Sequence, residues 1–186
     1  MKKLLYLLTA ILTILTSFNT HAQENNMTDK KALVAYFSAT GTTAALAQKL
    51  AGAINADLFE IKPQKPYSTA DLNWHNDQSR SSLEMKNQSS RPEIASKVTD
   101  ISQYDVIFVG FPIWWYREPS IIDTFMESYD FSGKKIIPFA TSGSSGIGNS
   151  GGNMQKLAPL AEVANGKRFS ASASETELKT WAQEWL

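Results

Sequence analysis

From residue 32 onward, short apolar runs alternate with longer amphipathic segments. Ala32–Phe37 and Val106–Phe111 are continuous apolar runs, which is typical of strands covered on both faces. Asp57–Ile61 alternates between polar and apolar positions, and Lys135–Ala140 is a further apolar run. With a short strand inside 161–169, broken by an Asn-Gly pair, the pattern predicts five strands.

Helical spacing fills the intervals between these strands. Leu46, Leu50 and Ile54 recur at i, i+4 and i+8, which predicts a helix over Thr42–Ile54 with one apolar face. Further helices are predicted over Pro119–Ser128, around Met154–Leu160 and over Glu175–Leu186. Strands that alternate with helices predict an α/β fold, in which a parallel sheet lies between two helical layers as a three-layer α/β/α sandwich.

Residues 62–103 show the least regular pattern. A polar helix is predicted over about 69–87, with Leu72, Trp74 and Leu83 as its few apolar anchors, and a short helix over 92–98. His75 lies in this segment. A lone histidine there is expected to be a surface or loop residue rather than a catalyst.

The N-terminus has the form of a secretory signal peptide over residues 1–22. Lys2 and Lys3 precede the uncharged apolar run Leu4–Phe18, and Thr20-His21-Ala22 is a small-x-small cleavage site. A membrane anchor is the alternative, but this run is shorter than the roughly 20 residues that a spanning helix needs. We therefore expect a polar tether over 23–30, one domain over 31–186, and a secreted, periplasmic protein without stable membrane insertion.

Composition excludes several classes of protein. The chain contains no cysteine among its 186 residues, so disulfides, thiol catalysis and cysteine-ligated metals are excluded. Loss of Lys2 and Lys3 with the signal peptide would leave a net charge of −2, which does not favour nucleic acid. The acidic residues at strand ends are too scattered to predict a metal site.

Candidate chemistry begins in the loop between the first strand and the first helix. Ser38, Thr40, Thr42 and Thr43 surround Gly41, and the first N–H groups of a helix lack intrahelical partners and favour anions. The loop has no lysine and no acidic residue, which suits a phosphate monoester better than a magnesium nucleotide. The alternative is that these hydroxyls only cap the helix.

Two further loops follow the third and fourth strands. Residues 112–118 contain two tryptophans and a tyrosine, and residues 141–152 are rich in glycine and serine. In an open parallel sheet, ligands bind beyond the carboxyl ends of the strands. All three loops lie there, so the sequence predicts a ligand with a phosphate at one end and a flat aromatic system at the other.

These motifs resemble the flavodoxin family, and most closely its members with a Pro-Ile-Trp-Trp loop. The resembling residues are Ser38-x-Thr40-Gly41-x-Thr43, Gly110-Phe-Pro-Ile-Trp-Trp115 and Phe139-Ala-Thr-Ser-Gly-Ser144. The resemblance implies a flavodoxin-like sheet of order 2-1-3-4-5, the cofactor FMN, and electron transfer with partner proteins.

The resemblance also implies a role for each loop. The first would hold the phosphate, the second would line one side of the isoalloxazine ring, and the third would bind its pyrimidine end. Adjacent side chains point in different directions, so we expect one tryptophan in the core and Trp115 with Tyr116 beside the ring. The implied FMN-binding residues are Ser38, Thr40, Gly41, Thr42, Thr43, Pro112, Ile113, Trp114, Trp115, Tyr116, Thr141, Ser142, Gly143 and Ser145.

Two positions depart from the family pattern. Many members have a glycine after the paired tryptophans, where this chain has Tyr116, a bulky residue that would restrict a backbone flip toward flavin N5. Arg117 follows, and a cation near N1 would stabilise the reduced flavin. The segment with Trp74 and His75 has an alternative role, in which it folds over the flavin edge.

Three functions remain open at this stage. The first is an exported electron carrier. The second is an FMN-dependent NAD(P)H/quinone-type reductase, for which nicotinamide donors are scarce outside the cytoplasm. The third is a binding module that has lost FMN, against which the intact hydroxyl loop argues. Many flavodoxins are strongly acidic and attract basic partners, and a net charge of −2 does not favour that mode of docking.

Overall fold

The structure is a computed structural model that describes residues 30–186. The predicted signal peptide and all of the tether except Lys30 lie outside the described residues. Within them, no helix combines the length and apolar character needed to cross a membrane, and no group of acidic or histidine side chains could hold a metal ion.

A parallel sheet forms the middle layer, as predicted. Its strands are β1 (Ala32–Tyr36), β2 (Asp57–Glu60), β3 (Val106–Pro112), β4 (Lys135–Thr141), β5 (Glu162–Val163) and β6 (Lys167–Phe169). The order is β2-β1-β3-β4-β5, and β6 also pairs with β4. Because β5 and β6 pair with successive parts of β4, they form one interrupted fifth strand.

The helices lie on both faces of this sheet. They are α1 (Thr42–Ile54), α2 (Arg80–Lys86), α3 (Ser120–Glu127), α4 (Ser150–Leu157) and α5 (Glu175–Ala182). The predicted bounds of α1 are correct. The last helix ends at Ala182, four residues before the predicted end at Leu186.

Alternation along the central strands creates two cores. Leu33 of β1 packs into a core shared with α3 and α4, whereas its neighbour Val34 packs into a core shared with α1 and α5. Successive strand residues point to opposite faces, so a continuous apolar run serves both layers. The three-layer α/β/α sandwich with a flavodoxin-like strand order is confirmed.

The predicted helix over 69–87 is wrong for most of its length, because only Arg80–Lys86 is helical. Asn73 Oδ1 accepts a hydrogen bond from His75 N (3.1 Å), and Asn76 Oδ1 accepts one from Gln78 N (3.0 Å). Such local side-chain bonds offer the backbone an alternative to the helix.

The short helix predicted over 92–98 is absent. Ala95 N donates to Lys62 O and Gln64 N donates to Glu93 O, both at 2.8 Å. These bonds pair the end of the inserted segment with its beginning, and they fix both ends of the segment against the sheet.

Candidate functional site

The three predicted loops meet at one cavity of about 520 Å³ at the carboxyl edge of the sheet. The fold brings them together because β1, β3 and β4 are adjacent and parallel. The cavity is lined by Ser38, Ala39, Thr40, Thr43, Leu72, Trp74, Ser81, Pro112, Ile113, Trp114, Trp115, Tyr116 and Ser145. Of the predicted residues, Gly41, Thr42, Thr141, Ser142 and Gly143 lie in the same loops but not in this lining.

The loop between β1 and α1 leaves the N-terminus of α1 free of a side-chain cap. Gly41 occupies the capping position with φ of 90°, and Ser38 Oγ accepts a hydrogen bond from Gly41 N at 3.1 Å. Helices α2 and α5 are capped by Ser79 and Ser174, whereas α3 and α4, like α1, have no side-chain cap. The nearby hydroxyls therefore do not cap α1, and the first N–H groups of this helix remain available to an anion.

The hydroxyl of Thr43 connects the first loop to the third. Thr43 Oγ1 and Thr141 Oγ1 lie 2.8 Å apart in a hydrogen bond, and both residues are buried. Either hydroxyl can donate, so the other keeps a proton for a second acceptor. Thr141 therefore lies behind the phosphate loop and supports it.

The aromatic loop after β3 contains a tight turn in an uncommon conformation. Trp114 N donates to Arg117 O (2.9 Å), and Arg117 N donates to Trp114 O (3.1 Å). The central residues Trp115 and Tyr116 have φ of 43° and 66°. Positive φ at both central positions defines a type I′ turn, which favours Asn-Gly. Tyr116 thus adopts a left-handed backbone conformation that favours glycine.

The two adjacent tryptophans of this loop have different environments. Trp114 is half-buried and packs edge-on against Phe37 (5.5 Å between ring centroids) and Tyr67 (5.3 Å). Trp115 and Tyr116 are 41% and 79% exposed. Trp114 thus packs against the core and Trp115 lies at the cavity surface, as predicted. Their contact with a flavin stays a prediction.

Arg117 is held by buried carboxylates. Its Nη2 lies 2.7 Å from Glu118 Oε1 and 2.6 Å from Asp123 Oδ2. Glu118 is fully buried and also accepts a hydrogen bond from Asn153 Nδ2 of α4 at 3.1 Å. We call Arg117, Glu118, Asp123 and Asn153 the ionic cluster. Arg117 is not a free cation and does not line the cavity, so its expected role beside flavin N1 is not supported.

Two carboxylates share the Arg117 guanidinium, and the protonation of Asp123 is affected by its burial there. Burial raises the pKa of Asp123 to about 6, with Arg117 opposing the shift and Glu118 adding to it. Arg91 Nη1 lies farther away, at 3.8 Å from Asp123 Oδ2. A carboxyl in a low-dielectric site that shares its counter-ion is expected to bind a proton more readily than one in water.

The loop after β4 packs closely on the aromatic turn. A Cβ added to Gly148, whose φ is 62°, would lie 2.4 Å from the Tyr116 carbonyl oxygen. Only a glycine at position 148 permits this close approach. A hydrogen bond also joins the two loops, in which Ile113 N donates to Thr141 O at 3.0 Å. The aromatic turn is therefore held from below by the ionic cluster and from the side by the third loop.

Four residues that line the cavity are not among the residues predicted to bind FMN: Ala39, Leu72, Trp74 and Ser81. Ala39 lies within the predicted phosphate loop but carries no polar group. The other three belong to the inserted segment, whose path over the site depends on tertiary contacts. Of these, only Trp74 has a signal in the sequence, the pair Trp74-His75 on which the alternative role of this segment rests.

Comparison with known proteins agrees with this architecture. A family model described as flavodoxin matches residues 31–185. No curated protein gave a significant match. Among solved structures, a proposed flavoprotein of Bacteroides eggerthii is 47% identical (84% of this chain and 98% of that one, TM-score 0.79). One of Bacteroides uniformis is 49% identical (83% and 98%, TM-score 0.78).

A more distant solved structure contains a bound ligand. The flavoprotein of Lactobacillus acidophilus in complex with FMN shares 22% identity with this chain, covers 84% of it and 98% of its own length, and has a TM-score of 0.63. At this identity the likeness shows the fold alone.

Proposed function

The chain belongs to the flavodoxin family, and on that premise we propose that it is an FMN-binding electron-transfer protein exported from the cytoplasm. The observation that carries the proposal is one cavity with two chemically different ends. An uncapped helix start with hydroxyls lies at one end, and exposed aromatic rings lie at the other. A phosphate joined to a flat ring system matches both ends.

The residues of the first loop would hold the phosphate of FMN. The N–H groups at the start of α1 have no capping side chain, and the hydroxyls of Ser38, Thr40 and Thr42 add neutral donors around them. Neutral donors suit a phosphate that must stay bound through changes in the charge of the ring. The same loop is present in the family pattern, which supports FMN rather than a nucleoside triphosphate.

The second and third loops would hold the ring. Trp115 and Tyr116 present exposed aromatic surface. Covering this surface with a flat ring is favourable, because apolar area is removed from water. Ser142 and Gly143, at the carboxyl end of β4, would offer polar groups to the pyrimidine end. When bound, FMN accepts and releases the electrons, while the protein orients the ring and excludes water from one side.

A partner protein is the proposed source or acceptor of these electrons. The rim of the cavity carries the exposed rings of Trp115 and Tyr116 rather than a dense acidic patch, and the low net charge argues against docking by long-range attraction. We propose that the redox partner contacts this apolar rim directly.

Fluorescence titration of the FMN-free protein tests the proposal. FMN should lose its fluorescence on binding, and riboflavin, which lacks the phosphate, should bind more weakly. Gly41→Pro should weaken FMN binding much more than riboflavin binding, because proline cannot adopt the positive φ of Gly41 and removes the N–H that donates to Ser38 Oγ, so the conformation of the phosphate loop is lost. Failure of the wild-type protein to bind FMN would refute the proposal.

A reductase of small acceptors is the second candidate, and the size of the cavity favours it. The cavity extends past the three loops to the inserted segment, and a reductase needs a roomy cavity over the flavin ring. Steady-state assays with NAD(P)H and menadione separate the two functions. Substantial turnover without a partner protein would favour the reductase over the simple carrier.

Export is proposed from the N-terminal sequence alone. Expression of the full chain followed by cell fractionation and N-terminal sequencing should give a periplasmic protein that begins near Gln23. A chain that keeps Met1 in the membrane fraction would instead indicate an uncleaved anchor.

A further inference from the structure

Trp74 is an exposed aromatic side chain that belongs to neither the core nor the three predicted loops. It is 67% exposed, yet it lines the same cavity as Trp115 and Tyr116. Most of its indole surface is open to solvent. A single exposed apolar side chain is common on a protein surface, so the informative observation is that Trp74 shares one cavity with two other exposed rings.

Trp74 lies in a turn of the inserted segment. Its indole lies against the imidazole of His75, with ring centroids 3.5 Å apart and an angle of 33° between the planes. The turn that carries it is closed by a hydrogen bond from Ser81 N to Asp71 O at 3.0 Å. The turn therefore places the indole at the cavity wall, and most of its surface is free to contact a ligand.

The inserted segment is attached to the aromatic loop through Tyr67. The Tyr67 ring contacts Trp114 edge-on at 5.3 Å, and the guanidinium of Arg80 lies 4.0 Å from the Tyr67 ring centroid. Arg80 also donates to Glu84 Oε1 and to Lys65 O, both at 2.6 Å. Burial and the neighbouring Glu84 carboxylate raise the pKa of Tyr67, so its phenol stays neutral and donates to Glu84.

We propose that Trp74 is a flavin-contacting residue, and that the inserted segment supplies an additional aromatic wall at the ring end of the FMN pocket. The inference rests on the proposed binding of FMN. Two elements far apart in sequence, the Trp115–Tyr116 turn and the Trp74 turn, present aromatic surface to one cavity and are joined beneath it by Trp114 and Tyr67. A flat aromatic ring is the ligand that gains most from such surroundings.

The expected effect is confined to the ring of the ligand. Stacking of one aromatic pair corresponds to a change of about two- to tenfold in a dissociation constant. Trp74→Ala should therefore raise the dissociation constants of FMN and riboflavin by the same factor, within that range. Trp74→Phe keeps a flat ring and should restore most of the affinity.

Fluorescence titration of the purified protein with FMN and with riboflavin tests the inference, together with the visible circular dichroism of the bound flavin. Leu83→Ala is the matched control, because Leu83 is 48% exposed on the same segment but does not line the cavity. The inference is supported if Trp74→Ala weakens both ligands and changes the flavin dichroism while Leu83→Ala does neither.

Three results would overturn it. Unchanged affinity and dichroism in Trp74→Ala, with normal FMN binding by the wild type, would refute the contact between Trp74 and the flavin but would not contradict the proposed function. Equal weakening by Trp74→Ala and Leu83→Ala would show a general effect of the segment instead of contact. Absence of FMN binding by the wild-type protein would overturn the proposed function and this inference together.

Discussion

The phosphate loop and the aromatic loop both turn the chain through left-handed backbone conformations, but by opposite means. The phosphate loop places a glycine at that point, Gly41 with φ of 90°. The aromatic loop places Trp115 and Tyr116 there, with φ of 43° and 66°. A side chain in this region costs roughly 1–2 kcal/mol per residue, whereas glycine adopts it freely.

This difference explains why the two loops are supported so differently. The phosphate loop needs only the Ser38 hydroxyl on Gly41 N and the bond between Thr43 and Thr141. Beneath the aromatic loop lies the ionic cluster, with its fully buried Glu118. A strained conformation persists only where the surrounding structure imposes it. At the ring end of the site, surrounding contacts thus maintain a backbone conformation that is locally unfavourable.

Loss of Glu118 should have the largest effect on this comparison. Glu118→Ala leaves Arg117 with a single carboxylate partner and removes the acceptor of Asn153. Breaking a buried ion pair typically costs about 3–5 kcal/mol, so the free energy of unfolding in urea should fall by roughly that amount.

The matched control for Glu118→Ala is Glu127→Ala, which removes the carboxylate of an exposed pair between the end of α3 and Arg91 of the inserted segment. Exposed pairs contribute about 0–1 kcal/mol. Equal losses in the two variants would contradict a special role for the cluster under the aromatic loop.

The second effect concerns the pH dependence of stability through Asp123. Burial raises the pKa of Asp123 to about 6 in the folded protein, whereas an unfolded aspartate titrates near 3.9. Between about pH 4 and 6 the folded state keeps a proton that the unfolded chain has released, so this residue's contribution to stability falls as pH rises, by up to about 3 kcal/mol.

Urea unfolding of the wild type and of Asp123→Asn at pH 4.5 and pH 7 measures this contribution. The stability of the wild type relative to the variant should be lower at pH 7. The opposite trend would mean that Arg117 and Arg91 stabilise the carboxylate more than burial disfavours it.

A smaller effect is expected in the phosphate loop. Gly41→Ala places a side chain at φ of 90°, although a Cβ there would meet no atom within 4 Å. The cost is therefore one of backbone conformation alone, about 1–2 kcal/mol of the free energy of unfolding. Gly143→Ala, at a glycine with open space and no positive φ, should be close to neutral when both are measured without FMN.

The smallest effect should be a gain in stability. Tyr116→Gly relieves the left-handed cost but makes the unfolded chain more flexible, so the free energy of unfolding should rise by about 0.5–1 kcal/mol. Tyr116→Ala keeps a Cβ and should show no such gain. A gain of the same size in both variants would indicate that the phenol, not the backbone, is unfavourable in the wild type.

The sequence was sufficient to predict the sheet and the meeting of the three loops at one of its edges. The runs Ala32–Phe37 and Val106–Phe111 are local signals, because strands covered on both faces must be apolar throughout. The polar loops after β1, β3 and β4 then had to share one edge of the sheet. Their convergence follows from parallel strand pairing and needs no knowledge of individual contacts.

The remaining features depend on contacts that no local pattern contains. Trp115 and Tyr116 are not of the residue types that favour a type I′ turn, so their backbone conformation arises from the packing around them. Arg117 pairs with Asp123 only because α3 returns beneath the aromatic loop. The turns around Asn73 form where local hydrogen bonds compete with a helix, and the net result of that competition is not visible in residue spacing.

The position of β1 between β2 and β3 has a consequence for how the molecule assembles. During synthesis, β1 is the first strand to emerge, but its partner β3 lies far along the chain, with Val34 aligned beside Phe108. Pairings between distant residues form slowly, and an apolar strand with one unpaired edge is prone to associate with other chains. A growing or truncated chain that ends before β4 also lacks the third loop and so has only part of the ligand cavity. Cofactor binding would then come late in the folding of each newly made chain.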